Sequence, residues 1–227
     1  MARQARIVIK NTHHHITQRG NRGEPVFFEK NDYQTYLDML LEQCERFKVS
    51  LYSYCLLPNQ VHMIAEPQET ALMARAIGET HRRYSVYINQ RKNWRGHLFQ
   101  DRFFSYPTDE QNALRAARFI ETLPVTAGIA PKPENYLWSS AKARIKVTEN
   151  KFLKSFRSFH VIHNWADYLE RPMDPNELRQ IELHLQTGRP RGSDLFLDNI
   201  EAEIGRSVRP KKRGRKPKAK KKAVGGA

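Results

Sequence analysis

Two strand-length apolar runs, residues 49–57 (VSLYSYCLL) and 60–66 (QVHMIAE), are separated only by Pro58-Asn59. A proline–asparagine pair between two such runs is a turn signal, so the stretch predicts two joined strands. This feature constrains the chain most, because an isolated hairpin is not stable in water and needs more strands or a packed helix. The flanking sequence offers both. Over residues 32–47, Tyr33, Tyr36, Leu37, Leu40, Leu41, Cys44 and Phe47 recur at three- and four-residue spacing, the pattern of an amphipathic helix capped by Asn31 or Asp32. A second helix is expected over about 69–89 with Leu72, Ala76, Ile77, Tyr84 and Ile88 inward. A third runs from an Asp109 cap to about Thr122, ahead of Pro124. Residues 13–19 (HHHITQR), closed by Gly20-Asn21, and residues 102–106 read as further strands. The order β-α-β-β-α-β-α predicts an α+β fold, a sheet with helices packed on its faces.

After Gly128 the pattern changes to a proline-rich stretch (PKPENY), then short helical segments near 138–145, 165–169, 176–186 and 194–204. The last two flank Gly188-Arg189-Pro190-Arg191-Gly192 in a helix–turn–helix-like arrangement. The expected organisation is a first domain over 1–130, a helical extension over 131–205 and a disordered basic tail over 206–227. Net charge is +15, and eleven lysines and arginines fall between Arg206 and Lys222 without one acid, which leaves +4 for the rest. That imbalance points to a polyanionic partner. The tail has no apolar face for a membrane, so nucleic acid is favoured. No apolar run reaches the roughly 20 residues that span a bilayer, and Cys44 and Cys55 form neither a metal motif nor a disulfide framework. A cytoplasmic, nucleoid-associated location is expected.

Several short clusters have the composition of nucleic-acid contacts. Arg19 and Arg22 stand at a glycine-containing turn where backbone can approach a ligand closely. Arg82, Arg83 and Tyr84, and then Arg91, Lys92, Trp94 and Arg95, mix charge with aromatic rings, a composition that suits either gripping phosphates and stacking on unpaired bases or a plain solvated face. Arg102 beside Phe103 is ambiguous between such a role and an ion pair. In the tail, Lys211, Lys212, Arg213, Arg215 and Lys216 surround Gly214 in a pattern resembling an AT-hook, with Lys216 departing from its core. Gln60 and His62 lie two apart on a strand and share a face. His13, His14 and His15 are consecutive and alternate faces, so all three cannot converge on one ion.

HHITQRGNR (14–22), YCLLPNQVH (54–62), RFIETLPVTAG (118–128) and WSS (138–140) together resemble the bacterial one-tyrosine single-strand transposases, and within them the REP-associated tyrosine transposases. The GRPRG and KKRGRKP stretches are similar to that branch too. The resemblance implies a ferredoxin-like antiparallel sheet and a pair of histidines, one residue apart, that bind a divalent metal (the HUH motif). It also implies a helical tyrosine that attacks single-stranded DNA to give a 5′-phosphotyrosine, and an amide four residues later that completes the metal shell. The spacing suits that chemistry, since residues two apart on a strand and four apart on a helix share a face, and the metal stabilises charge on the phosphate oxygens.

Transferred residue by residue, the first histidine falls on Gln60 and the second on His62. The nucleophile falls on Phe119 and the metal-binding amide on Leu123. A phenyl ring has no hydroxyl to form a phosphotyrosine, leucine has no ligand oxygen, and Gln60 with His62 is a weak set for Mg²⁺. Ala116, Phe119 and Leu123 instead make an apolar stripe. The reading is a DNA-binding member of the family that does not nick, recognising hairpin-forming repeated DNA with a single-stranded flank and needing no cofactor. The alternatives are an active transposase that uses Mg²⁺ with a displaced tyrosine (Tyr84, Tyr87, Tyr106 or Tyr136) and an RNA-hairpin-binding regulator.

Overall fold

The hairpin forms where the sequence places it: β2 (Val49–Leu57) and β3 (Gln60–Pro67) run antiparallel with Leu57 opposite Gln60. In the computed structural model, which describes residues 6–146 and 152–210, β1 (His13–Arg19) pairs antiparallel with β3 on one side and β4 (Phe104–Thr108) on the other. The strand order is β2-β3-β1-β4. Helix α1 (Lys30–Arg46) links β1 to β2, and α2 (Thr70–Lys92) links β3 to β4. This βαββαβ order in a four-stranded antiparallel sheet is the ferredoxin-like arrangement. Helix α3 (Glu110–Thr126) follows β4.

Strand alternation separates two cores. Ile16, Val61, Met63 and Ala65 point to the face covered by α1 and α2, where they meet Tyr36, Leu40, Met73, Ile77 and Ile88. Cys55, Leu57 and Ile64 point to the face covered by α3, against Ala113, Ala116, Ala117 and Ile120. A fully buried Leu, Ile or Met contributes about 1.5–3 kcal/mol, so both faces of the sheet drive folding. One residue shifts the parity of β2. Its register against β3 slips between Leu51, opposite Ala65, and Ser53, opposite Ile64. Tyr52 is therefore a bulge residue. Leu51 and Leu56 can then share the α1/α2 face although they differ in parity, a switch that alternation alone does not reveal.

Boundaries differ from the sequence expectation in identifiable ways. Glu29, rather than Asn31 or Asp32, is the N-cap of α1; Asp32 sits three residues in and accepts hydrogen bonds from Phe28 N and Glu29 N at 2.8 and 3.0 Å. Asp109 caps α3 as expected, accepting from Asn112 N at 3.0 Å. The helix nevertheless continues through Pro124 to Thr126. A proline in the last turn costs one intrahelical bond rather than the helix, and the Pro124 carbonyl stays in use, accepting from Ile129 N at 2.8 Å.

The extension is built from α4 (Ala141–Ile145), α5 (Trp165–Glu170), α6 (Pro175–Thr187) and α7 (Asp194–Ile204). Tyr136, Ala141, Phe156, Trp165 and Leu169 pack into the same core as α3, so this cluster draws on residues from both sides of position 130. Helix α7 packs through Ile200 against Ile9 and Val208. Residues 206–210, expected within a disordered tail, are held to α7: Val208 is buried, and Arg209 pairs with Asp198 at 2.8 Å and Glu201 at 3.1 Å. The basic cluster from Lys211 to Lys216 lies outside the described residues. Among the described residues no helix is long and apolar enough to cross a membrane.

Candidate functional site

Beneath α3, three strands bring polar side chains to one spot. His62 on β3 stands opposite Thr17 on β1, His15 is two residues back along β1 on the same face, and Tyr106 on β4 stands opposite His15. All four are buried. His15 Nε2 and His62 Nδ1 are 3.2 Å apart, Tyr106 Oη and His15 Nδ1 3.1 Å, and Thr17 Oγ1 and His62 Nε2 3.5 Å. The Phe119 ring closes the site from α3, with its centroid 6.0 Å from that of His15 and 5.9 Å from that of His62. The structure thus brings together two expected positions, His62 and Phe119. Gln60 lies half-buried at the start of β3, opposite exposed Arg19, and Leu123 lies one turn further along α3, half-buried against its core.

One set of protons satisfies every partner in this chain. Arg191 lies beside the Tyr106 hydroxyl and has only protons to offer, so the hydroxyl donates onward to His15 Nδ1. His15 then carries its proton on Nε2 and donates to His62 Nδ1, and His62 Nε2–H faces Thr17. Burial keeps both imidazoles neutral. It pushes His62 down to about 3, with the Arg19 charge adding to the effect. It pushes His15 well below the usual histidine range, helped by His62 and Arg191. Burial also raises the Tyr106 hydroxyl far above ordinary phenol.

This donor set does not fit the metal that the family resemblance implies. Each lone pair of His62 and His15 is engaged within the chain, Leu123 has none, and among the described residues no three His, Cys, Asp or Glu side chains gather as a ligand group. At the sequence level His15 stands only within the His13–His15 run and Tyr106 only as a displaced nucleophile, so neither is placed beside His62. The parity of His15 was legible, but the register that sets it diagonal to His62, and the β4 pairing that supplies Tyr106, required tertiary structure.

The hydroxyls of the four tyrosines considered as substitutes are all engaged. Tyr84 donates to Val26 O at 2.8 Å, Tyr136 to Leu56 O at 2.6 Å and Tyr106 to His15, while Tyr87 lies within 3.5 Å of Asp32 Oδ1. Several family-like motifs resolve into packing. Glu121, in the RFIETLP stretch, is fully buried and accepts from Ser140 Oγ (2.6 Å), Ser53 Oγ (3.1 Å), Trp165 Nε1 (2.7 Å) and Arg144 Nε (3.1 Å). The WSS and RFIETLP motifs are thus two ends of one network. In GRPRG, Arg191 is buried, donates its N–H to Pro107 O at 2.9 Å and pairs with Glu177 at 2.6 Å. That loop docks on β4, placing Arg191 inside the fold.

The basic residues divide sharply. Arg91 is bidentate to buried Asp32, with one bond of 2.7 Å. Arg83 pairs with Glu42 and Arg82 with Glu79, each at 2.7 Å, and the Tyr84 ring beside them is fully buried and offers no stacking face. Arg102 is exposed and borders a cleft with Arg6, Val86 and Phe103. Arg22 and Arg95 border a different cleft with Phe28, Asn89 and Trp94. Arg22 belongs to the 3₁₀ turn Asn21–Gly23 and has φ 57. A Cβ on the preceding Gly20 would lie 2.0 Å from Glu24 O, so only glycine lets the turn fold back this tightly. The turn is tied down by Gly20 N–H to Asn59 O and Asn21 N–H to Leu98 O, at 2.8 and 2.9 Å.

Comparison with known proteins places this architecture. No curated protein matches the sequence. Among solved structures, a REP-associated tyrosine transposase bound to a REP hairpin superposes with a TM-score of 0.55 at 15% identity, over 77% of this chain and all of that one. A protein from Deinococcus radiodurans described as a transposase gives a TM-score of 0.38 at 17% identity, over 53% of this chain and 96% of that one. The family model for IS200-like transposases matches residues 8–122, the span from the first strand through most of α3. The chain belongs to the IS200-like transposase family.

Proposed function

We propose that this chain binds hairpin-forming DNA through the transposase scaffold and does not cut it. The observation that carries the reading is the phenyl ring of Phe119, which covers two neutral histidines hydrogen-bonded to each other. A nucleophile needs a hydroxyl and a nearby base or metal to activate it; position 119 has no oxygen, and the imidazoles have no free lone pair to coordinate an ion. The hairpin assignment is supported by the fold shared with a REP-associated transposase solved on a REP hairpin, and by the sequence resemblance to that branch. The tail's basic cluster supplies phosphate contacts that need no particular sequence.

Incubating the full chain with a hairpin oligonucleotide bearing a single-stranded flank, with Mg²⁺ or Mn²⁺, tests this reading. The expected result is a saturable complex that dissociates in denaturant. A denaturant-resistant protein–DNA adduct would overturn it in favour of a working enzyme, and preference for a matched RNA hairpin would overturn the choice of polymer. The reversion Gln60→His with Phe119→Tyr and Leu123→Asn is expected to introduce strand cleavage.

A further inference from the structure

We infer that the cleft between the 20–28 turn and the 93–98 loop takes one unpaired nucleobase on the indole of Trp94, with the adjoining phosphates on Arg22 and Arg95. This rests on the proposed DNA-binding reading and assigns the single-stranded flank to a defined place.

The cleft has a volume of about 520 Å³, within the range of small-ligand sites. Trp94 stands at its wall, 49% exposed. The other two tryptophans are used in packing: Trp138 stacks on Tyr33 at 5.0 Å, and Trp165 is buried with its N–H on Glu121. Trp94 is held without being covered. Phe28 meets its ring edge-on at 84° and 5.5 Å, the Trp94 backbone N–H donates to Asn89 O at 2.8 Å, and Asn89 Nδ2 holds the loop through Gly96 O at 2.9 Å. Lys92 Nζ sits 4.7 Å from the Phe28 ring centre. An aromatic face fixed in advance loses little freedom on binding.

The charges around it select the partner. Arg22, Arg95 and His97 border the cleft, against one carboxylate, Glu24. Of the two basic residues just before Trp94, Lys92 lies over the Phe28 ring and Arg91 is withdrawn by Asp32. A π-face flanked by guanidinium groups matches a single strand, whose bases and phosphates alternate. A duplex keeps its base faces stacked inside and cannot offer one. Asn21 and Asn93 also line the cleft, and their amides can meet a base edge. The cleft around Arg46, Arg75 and Arg82 contains Glu79 and no comparable ring, because Phe47 is covered there by Arg46 and Arg75.

The test compares the full chain with Trp94→Ala and Trp94→Phe on two DNA hairpins of the same stem, one blunt and one with a short unpaired flank. Trp94→Ala is expected to weaken binding of the flanked hairpin about tenfold or more, leave the blunt hairpin unchanged and abolish flank-dependent quenching of indole emission. Trp94→Phe should recover most of the affinity. Equal affinity of all three proteins for the flanked hairpin overturns the inference while leaving the DNA-binding proposal standing. A wild-type chain that binds neither hairpin overturns both, and one that is quenched only by a flanked RNA hairpin overturns the assignment to DNA.

Discussion

Single side chains do two kinds of work in this protein, and Glu121 shows the first. It is fully buried and ion-paired with Arg144, which is itself nearly buried. Replacing Glu121 by alanine leaves a guanidinium in the core without its counter-charge, a change that costs about 3–5 kcal/mol. Chemical denaturation of Glu121→Ala should show a correspondingly lower midpoint. Histidines show the second kind. His14 and His62 are held neutral, pushed by burial to about 4 and about 3, and His15 lies well below its ordinary value. Their folded values are depressed, so the unfolded chain binds protons that the folded chain refuses. Stability from these groups is complete above pH 6.5 and is lost as pH falls toward their folded values, at about 2 kcal/mol per histidine by pH 5. Melting temperature should therefore drop steeply between pH 6.5 and 4. A flat profile over that window would contradict the neutral, buried pair.

At the scale of elements, the turn after β1 decides where the cleft forms. Gly20 has φ −61, which any residue adopts, so its constraint is contact with Glu24 O rather than backbone conformation. Gly20→Ala should shift the turn, cost about 1–3 kcal/mol and displace Arg22. Differential scanning fluorimetry, alongside affinity for a flanked hairpin, checks both effects. Helix α3 carries the other element-level lesson. Its Asp109 cap and the Ala116-Phe119-Leu123 stripe were legible as local pattern, whereas its passage through Pro124 was not, because a terminal proline is tolerated where the carbonyls find other donors. The bulge at Tyr52 was hidden for a similar reason: it changes pairing without changing composition.

For the whole molecule, folded body and tail make separable contributions to DNA affinity. Cutting at Arg206 would also remove Val208 and Arg209, which anchor α7. Truncation after Pro210 removes the basic cluster and leaves α7 packed. If about six tail residues meet phosphates, affinity of the full chain should fall on the order of 10³-fold between 50 and 200 mM salt. The truncated chain should lose much less. Equal slopes on a plot of log affinity against log salt would show that the tail does not engage phosphate.

The sequence by itself determined the order of strands and helices, the hairpin at Pro58-Asn59, the imbalance of charge toward the C-terminus and the missing hydroxyl at Phe119. Each is a matter of local period, turn chemistry or atom count, and needs no partner to be read. Tertiary structure decided where β1 and β4 lie beside that hairpin. Pairing of β1 with both β3 and β4 is long-range, and it is this pairing that sets His15 between His62 and Tyr106. It also decided which arginines are spent on carboxylates and which remain at a cleft. Asp32 is 59 residues from Arg91 and Glu42 is 41 from Arg83, and no local pattern relates charges that meet only when two helices pack.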